Sequence, residues 1–218
     1  PSPVETLRSF LPTSELWPPA PRTTWETHHA FGAWAVAPTS WLFPDLIEEY
    51  FGPAPDLETL VARGQLMQAE GYKALFEEAR RQKPRSSMAL NWCFDEPWPC
   101  AANNSLIAWP ARPKPAYHAV AASCRPVLAS ARIARFSWCE GDVFAPELWM
   151  LSDAPQPVEG GLLRAFLDIG GERRHLLDWQ FPALAPNRHM AGPTARFGLP
   201  GHDHERLGRV LTLTLEVE

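Results

Sequence analysis

Residues 90–100 have the sequence LNWCFDEPWPC, and this stretch decides how the rest of the chain is interpreted. It contains two tryptophans, an adjacent pair of acids, two prolines and two cysteines. Prolines and paired carboxylates suit a buried strand poorly, because proline cannot donate a ladder hydrogen bond and a buried charge needs a partner. The apolar start of the stretch predicts a buried strand over residues 88–94, and its polar end favours a binding site where that strand stops.

The overall composition limits the classes of function. A chain of 218 residues with 45% hydrophobic residues is long enough for one large or two small packed domains. The net charge of -5, without a basic cluster, makes nucleic acid an unexpected partner. The longest nearly apolar run, around residues 106–111, is too short to span a bilayer, so no membrane partner is predicted.

Tryptophan is unusually abundant. Ten tryptophans are roughly three times the number expected for this length. Indole rings stack well on flat apolar ligand faces, of which sugar rings are one example, but they also fill large aromatic cores. Composition alone leaves both interpretations open.

Neither the cysteines nor the histidines predict a metal site. No pair of cysteines has the spacing of a zinc knuckle, and we expect buried free thiols at Cys93, Cys100, Cys124 and Cys139. The His-Asp-His triplet at 202–204 follows a glycine, which is typical of a solvated turn between strands. The sequence begins at Pro1 and does not indicate a compartment.

The first half of the chain predicts helices separated by irregular segments. Ser2 and Glu5 have the spacing of a capping box for a helix that ends near Phe10. Residues 13–40 are predicted to form a long ordered loop, followed by helices over 45–50 and 56–82. A long helix followed by a buried strand is the repeating unit of a parallel α/β architecture.

The pattern changes after residue 126. Apolar residues alternate with polar ones over 211–217 and, less regularly, over 163–168, and glycine pairs separate such stretches. This pattern predicts a β-sandwich of roughly one hundred residues. The boundary is expected near residues 118–126, without a flexible linker.

The stretch at 89–99 resembles the last barrel strand of glycoside hydrolase family 2, in which an apolar strand precedes Trp, two residues, Asn-Asp or Asn-Glu, one residue and Trp-Pro. Three further pieces fit in order: QLMQAEG with EARR at 65–71 and 78–81, RPKPAY with RPVL at 112–117 and 125–128, and FAPELW with Ser-Asp at 144–149 and 152–153. The opening PSPVETL at 1–7 resembles the segment after the nucleophile in the β-mannosidase-like branch.

The resemblance implies an α+β chain in which residues 1–120 are the C-terminal part of a (β/α)8 TIM barrel and residues 121–218 form an immunoglobulin-like sandwich. Retaining glycosidases use two carboxylates about 5–5.5 Å apart. The resemblance implies that both catalytic glutamates lie upstream of Pro1, so the chain itself holds no catalytic residue and is expected to be inactive alone. It also implies no cofactor, a carbohydrate substrate and, as partner, the upstream barrel of the same polypeptide.

Five residues are candidates for the sugar site. The indole of Trp92 is predicted to stack on the sugar in the cleavage subsite, and Trp98 is a second aromatic candidate. Asp95 or Glu96 is predicted to accept hydrogen bonds from sugar hydroxyls, and only one of them is expected to face the site because adjacent strand residues point to opposite sides. The family often has a histidine reaching towards the sugar where this chain has His28.

Alternatives to a β-mannosidase-like enzyme stay open at this point. Asp95 replaces the asparagine of the family, which is compatible with another substrate (a β-galactoside, β-glucuronide or β-glucosaminide) or with an inactive family member. The non-enzymatic alternative is a structural or carbohydrate-binding module. An open aromatic strip on the sandwich predicts binding, and inward packing of Trp138, Trp149 and Trp179 predicts a structural support.

Overall fold

The computed structural model describes residues 1–32, 41–200 and 210–218. The chain divides into two compact units, one formed by Pro1–Phe76 and Met88–Cys124, the other by Glu77–Ser87 and Arg125–Glu218. Helices and antiparallel sheets are both present, which confirms the predicted α+β class. The triplet at 202–204 and residues 33–40 of the predicted loop lie outside the described residues.

Five helices are described. They are α1 (Val4–Phe10), α2 (Thr24–Thr27), α3 (Pro44–Phe51), α4 (Leu57–Arg81) and α5 (Pro115–Ser123), and a short 3₁₀ turn spans Thr13–Glu15. The predicted long helix is confirmed, and it begins as expected because the Asp56 side chain accepts a 2.7 Å hydrogen bond from the Thr59 amide. In the part of the chain described, no helix is both long enough and apolar enough to cross a membrane.

The predicted capping box at the start of α1 is wrong. Pro3 occupies the N-cap position, and no side chain caps the helix. The Ser2 hydroxyl instead donates a 2.7 Å hydrogen bond to the Cys100 carbonyl, and Glu5 pairs with Arg112 at 3.0 Å. A tertiary partner therefore replaces the local one that the spacing predicted, because Ser2 is fully buried against a distant segment.

The first unit is built around a helical core. Its main cluster joins α1, α2, α3 and the start of α4, and includes Leu7, Leu11, Trp25, Leu42, Ile47, Leu60 and Val61. A smaller cluster places Ala69 of α4 against Leu106 and Ala116. The two short strands β1 (Ile107–Ala108) and β2 (Arg112–Pro113) pair antiparallel beside this second cluster. The long central segment of the unit, residues 88–106, is irregular.

The predicted buried strand at 88–94 is wrong. The backbone there has no strand assignment, and alternate side chains are exposed, with 70% exposure at Met88, 81% at Leu90, 75% at Trp92 and 59% at Phe94. A strand needs a hydrogen-bonded neighbour, and the described residues supply none before the bridge between Asp95 and Ile107. The apolar pattern therefore marks a surface that this part of the chain leaves uncovered.

Eight strands lie in the described part of the second unit. They are β3 (Val127–Arg132), β4 (Val143–Phe144), β5 (Glu147–Ser152), β6 (Gly161–Ile169), β7 (Glu172–Phe181), β8 (Met190–Thr194), β9 (Phe197–Gly198) and β10 (Thr212–Val217). One antiparallel sheet has the order β10-β6-β7 and another the order β3-β5-β8, while β4 pairs with β9. The alternating sequence at the C-terminus indeed forms a strand, which pairs Leu213 with Leu167 and Leu215 with Ala165.

Strands from both three-stranded sheets contribute to one core in the second unit. Leu148 and Met150 of β5 lie in the same buried cluster as Leu163 and Ala165 of β6. The inward residues of β6 alternate with half-buried ones, as expected for a strand with one buried face. A second cluster contains Phe144, Leu167, Ile169 and Leu199.

Candidate functional site

The segment that follows the exposed apolar residues is attached to β1. The amides of Leu106 and Ile107 both donate to the Phe94 carbonyl at 3.0 Å, and the Glu96 amide donates to the Ile107 carbonyl at 3.1 Å. These bonds fix the backbone on both sides of Asp95. Adjacent residues in extended backbone point to opposite sides, so Asp95 and Glu96 must diverge.

The Glu96 carboxylate is buried in a polar network. Its Oε1 atom accepts hydrogen bonds from the Ser105 hydroxyl and, at 2.9 Å, from Lys114 Nζ. Its Oε2 atom accepts a 3.1 Å hydrogen bond from the Trp109 amide, with the Ser2 hydroxyl 3.4 Å away. Both carboxylate oxygens are thus occupied by protein donors. Either Asp95 or Glu96 is predicted to accept hydrogen bonds from the sugar, and these contacts give the Glu96 side chain a structural role.

Lys114 completes the network from the residue before α5. Its Nζ atom donates to Glu96, to the Ser105 hydroxyl at 2.9 Å and to the Asn103 carbonyl at 3.1 Å, which uses all three of its protons. Neither side chain of the ion pair is exposed. Burial lowers the pKa of Lys114, and the adjacent Glu96 carboxylate opposes that change without cancelling it.

Two predicted site residues, His28 and Trp98, are in contact. The imidazole of His28 lies between two aromatic rings, with centroid distances of 4.4 Å to Phe10 and 5.1 Å to Trp98 and interplanar angles of 30° and 25°. The His28 ring thus forms the middle layer of a three-ring stack. Trp98 is the outer layer, with 43% of its surface exposed.

A hydrogen bond orients the His28 ring. Its Nδ1 atom lies 2.6 Å from the Pro99 carbonyl oxygen. A carbonyl can only accept, so Nδ1 carries a proton and donates. In the neutral ring the other nitrogen, Nε2, is then a hydrogen-bond acceptor. The His28 carbonyl in turn accepts a 2.7 Å hydrogen bond from the Ala101 amide, which ties the end of α2 to the segment that carries Trp98.

The two remaining predicted residues, Trp92 and Asp95, lie exposed. The peptide bond between Trp92 and Cys93 is cis. In the part of the chain described, Trp92 has no ring contact with His28 or Trp98. In the structure, therefore, His28 and Trp98 are in contact. Trp92 and Asp95 are exposed on the same segment, and Glu96 is buried.

The cysteines carry no evident chemistry. All four are free, but only Cys100 is buried; Cys93 is half-buried and the other two are exposed, so the prediction that all four are buried is wrong. Burial, with the Glu96 charge nearby, raises the pKa of the Cys100 thiol to about 11, which makes it a poor nucleophile. Among the described residues, no group of three His, Cys, Asp or Glu side chains is arranged to hold a metal ion.

Sequence reasoning missed Lys114, Ser105 and Phe10. The stretch RPKPAY carries part of the family resemblance, but nothing local indicates that its lysine is fully buried. The only available signal is the proline on each side of Lys114, which is unusual for a solvated lysine. Phe10 was assigned only to a helix end, and its contact with His28 depends on the tertiary structure.

Curated relatives of this chain share one name. It is 31% identical over 144 residues to "Beta-mannosidase B" of Aspergillus niger, a match that covers 62% of this chain and 17% of that protein. It is 30% identical over 144 residues to "Beta-mannosidase B" of Neosartorya fischeri, with the same coverage of each. The chain therefore spans about a sixth of the length of these relatives. No family model matches the sequence.

Solved structures extend the likeness to nearly the whole fold. The exo-chitosanase CsxA of Amycolatopsis orientalis matches with a TM-score of 0.66 and 15% identity, over 99% of this chain and 26% of that one. A structure of the exo-beta-D-glucosaminidase CsxA with an inhibitor matches with a TM-score of 0.66 and 16% identity, with the same coverage. At these identities the likeness concerns the fold. The sequence similarity, over 62% of this chain, is to proteins named beta-mannosidase B.

Proposed function

We propose that this chain is the C-terminal portion of a retaining exo-β-glycosidase, most closely β-mannosidase-like, and that it supplies part of the sugar subsite. The observation that carries the proposal is the His28–Trp98 stack, with exposed Trp92 and Asp95 on the same segment as Trp98, in a chain with relatives named beta-mannosidase B. Stacked aromatic faces beside hydrogen-bonding groups are suited to sugars, whose rings have apolar faces and hydroxyl edges.

In this proposal residues 1–120 complete a (β/α)8 barrel and residues 121–218 form an immunoglobulin-like domain. The exposed alternate residues of 88–94 support the barrel interpretation, because a barrel strand is covered by neighbouring strands and helices that these described residues lack. The upstream barrel of the same polypeptide would cover Met88, Leu90 and Phe94. The two catalytic glutamates would come from that barrel.

The proposed roles differ among the site residues. Trp92 and Trp98 offer indole faces to the sugar, and Asp95 accepts hydrogen bonds from its hydroxyls. His28 offers Nε2 as an acceptor, since its Nδ1 proton is directed to Pro99. We remove Glu96 from the set of sugar ligands, because both of its oxygens are bonded within the protein.

The rival function, a carbohydrate-binding sandwich module, has less support. Trp138 packs edge-to-face on buried Phe144, and Trp179 packs against the core that contains Phe181. Trp149 is half-buried. The described surface of the second unit therefore has no exposed tryptophan that could form an open aromatic strip for a sugar. We assign this unit a structural role.

One second candidate concerns the substrate. The exposed carboxylate of Asp95 would attract a cationic amino group on the sugar as well as a hydroxyl, and the matched fold is described for an exo-beta-D-glucosaminidase. A β-glucosaminide is therefore the alternative to a β-mannoside.

Hydrolysis assays test the proposal. The full-length polypeptide that contains this chain is expected to release nitrophenol from nitrophenyl β-D-mannoside. The corresponding β-D-glucosaminide, galactoside and glucuronide are assayed separately as the alternative substrates. The 218-residue chain alone is expected to show no turnover. Clear hydrolysis by the isolated chain would overturn the claim that the catalytic glutamates lie elsewhere, and a full-length protein inactive on all four substrates would favour an inactive family member.

A further inference from the structure

The buried Glu96–Lys114 ion pair is one whose members are not proposed to contact the sugar. Both side chains are fully buried, and removing two charges from water has a free-energy cost that their mutual attraction must offset. An apolar pair of similar volume is often at least as stable. The ion pair differs from an apolar pair in that its hydrogen bonds are directional. Only one arrangement of the two side chains satisfies all of their donors and acceptors.

The ion pair fixes one end of a very short bridge. Residues 97–99, Pro-Trp-Pro, connect Glu96 to Cys100, and the two prolines restrict the backbone on both sides of Trp98. At the far end the Ala101 amide donates to the His28 carbonyl, and the Ala101 carbonyl accepts a 2.9 Å hydrogen bond from the Ser2 amide. The bridge that carries Trp98 therefore has a restricted backbone and is held by hydrogen bonds at both ends.

The same fastening determines the orientation of His28. The Pro99 carbonyl that accepts from His28 Nδ1 belongs to the bridge, and so does the indole that stacks on the imidazole. A shift of the Glu96 backbone would move both contacts of the His28 ring together. Glu96 is also the immediate neighbour of Asp95, whose direction is opposite to its own.

We infer that Glu96 and Lys114 form a positioning pair, which touches no sugar itself and sets the geometry of Trp98, His28 and Asp95. The inference rests on the proposed function for its effect on sugar binding, and on the contacts above for its effect on the aromatic stack. Lys114 and Ser105 share the Glu96 Oε1 atom, so loss of either loosens the same end of the bridge.

The experiment uses the full-length polypeptide and two double variants. Glu96→Leu with Lys114→Met removes both charges together, which avoids leaving a buried charge without its partner. The matched control is Glu77→Leu with Arg81→Met, which removes an ion pair of the second unit whose side chains are only 2% and 4% exposed. Thermal unfolding establishes that each variant is folded.

Two readouts separate positioning from general stability. The first is the NMR chemical shift of the His28 ring protons in histidine-labelled protein. The neighbouring rings of Phe10 and Trp98 displace this chemical shift. It is expected to change in the Glu96/Lys114 variant and not in the control. The second is KM for the glycoside, expected to rise about tenfold in that variant alone, with a smaller change in kcat.

The outcomes are distinct. A folded Glu96/Lys114 variant with unchanged His28 shifts overturns the inference. If that variant does not fold, Ser105→Ala removes one donor to Oε1 and is expected to move the His28 shifts partway; no movement again overturns the inference. Displaced His28 shifts in a protein that hydrolyses no glycoside would support the positioning pair and refute the proposed function.

Discussion

Asp95 and Glu96 are neighbours in the chain with opposite surroundings. Asp95 is exposed, while the carboxylate of Glu96 is fully buried with bonds to Lys114, Ser105 and the Trp109 amide. Hydrogen bonds to β1 hold the backbone extended between them, so the two side chains cannot exchange roles. The Asp95 carboxylate is accessible to a ligand, and the Glu96 carboxylate is bonded within the protein.

Asp95→Asn is expected to raise KM for the β-mannoside by about fivefold without changing the melting temperature. A charged acceptor makes a stronger hydrogen bond than an amide oxygen, and the loss corresponds to about 1 kcal/mol. Steady-state kinetics of the full-length protein measure the change. The control is Glu70→Gln, which neutralises an exposed acid on α4 and should leave KM unaltered. A larger rise in KM for the glucosaminide than for the mannoside would favour the amino sugar as substrate.

Trp98→Ala is expected to raise KM about tenfold, because it removes the outer ring of the stack and the aromatic face that we propose contacts the sugar. Trp98→Phe keeps an aromatic ring over His28 and should recover most of the affinity. Steady-state kinetics test the contribution of Trp98 to KM, and the NMR chemical shifts of the His28 ring test its stacking on His28. Equal KM values for the alanine and phenylalanine variants would show that the ring itself does not bind the sugar.

The second unit is expected to lose stability as the pH falls below about 6.5, because of His189. The Ser152 amide donates to its Nδ1 atom at 3.0 Å, and its Nε2 lies 3.6 Å from Asp153. Burial lowers the pKa of His189, and the Lys83 and Arg80 charges add to this, while Asp153 opposes it. Between the lowered pKa and about 6.5 only the unfolded state binds the proton, so the free energy of unfolding decreases with acidification there.

Denaturant unfolding at pH 7.5, 6.5 and 5.5 measures this effect. His189→Asn keeps an acceptor for the Ser152 amide and is expected to flatten the dependence over this range. His118→Asn, at an exposed position on α5, is the matched control and should keep the slope of the parent protein. An unchanged slope in the His189 variant would contradict the assignment. Effects of Asp153 fall at lower pH, since burial would raise its pKa but the Lys83 hydrogen bond and nearby cationic groups outweigh this and lower it.

Gly192→Ala is expected to destabilise the second unit by about 1–3 kcal/mol. A methyl group at Gly192 would lie 2.4 Å from the ring of Trp179, so the indole or the strand must shift. Gly198→Ala is the control in the same unit, because among the described residues, apart from its own chain neighbours, none has a heavy atom within 4 Å of the added methyl group. Thermal unfolding compares the two; equal melting temperatures would mean that Trp179 can move away at little cost.

Three helices (α1, α3 and α4) and the C-terminal strand were predictable because their signals are local, whereas α2, inside the predicted loop, and α5 were not predicted. The α4 helix has an aspartate cap, a helical apolar period and basic residues in its last turn, and each feature acts within a few residues. The strand β10 likewise shows its alternation directly in the sequence. The same local reasoning failed at Ser2, where a partner 98 residues away replaced the capping interaction.

The candidate site was predictable only as a set of residue types. An aromatic and acidic stretch after an apolar run indicated a ligand surface, and the resemblance to a glycosidase family added His28. The expectation of a buried strand at 88–94 failed because burial needs covering elements, and the described chain does not place any there. An apolar pattern reports what a segment is suited to contact, not whether the contact is made within this chain.

The sequence by itself determined the α+β class, the long helix, the C-terminal strand and the family resemblance, because propensity, periodicity and motif order are properties of neighbouring residues. Only the tertiary structure decided which acid is buried and which ring stacks on His28. Those choices depend on Lys114, 18 residues after Glu96, and on Phe10, 18 residues before His28. Burial and charge pairing arise from contacts between distant segments, and no local pattern encodes them.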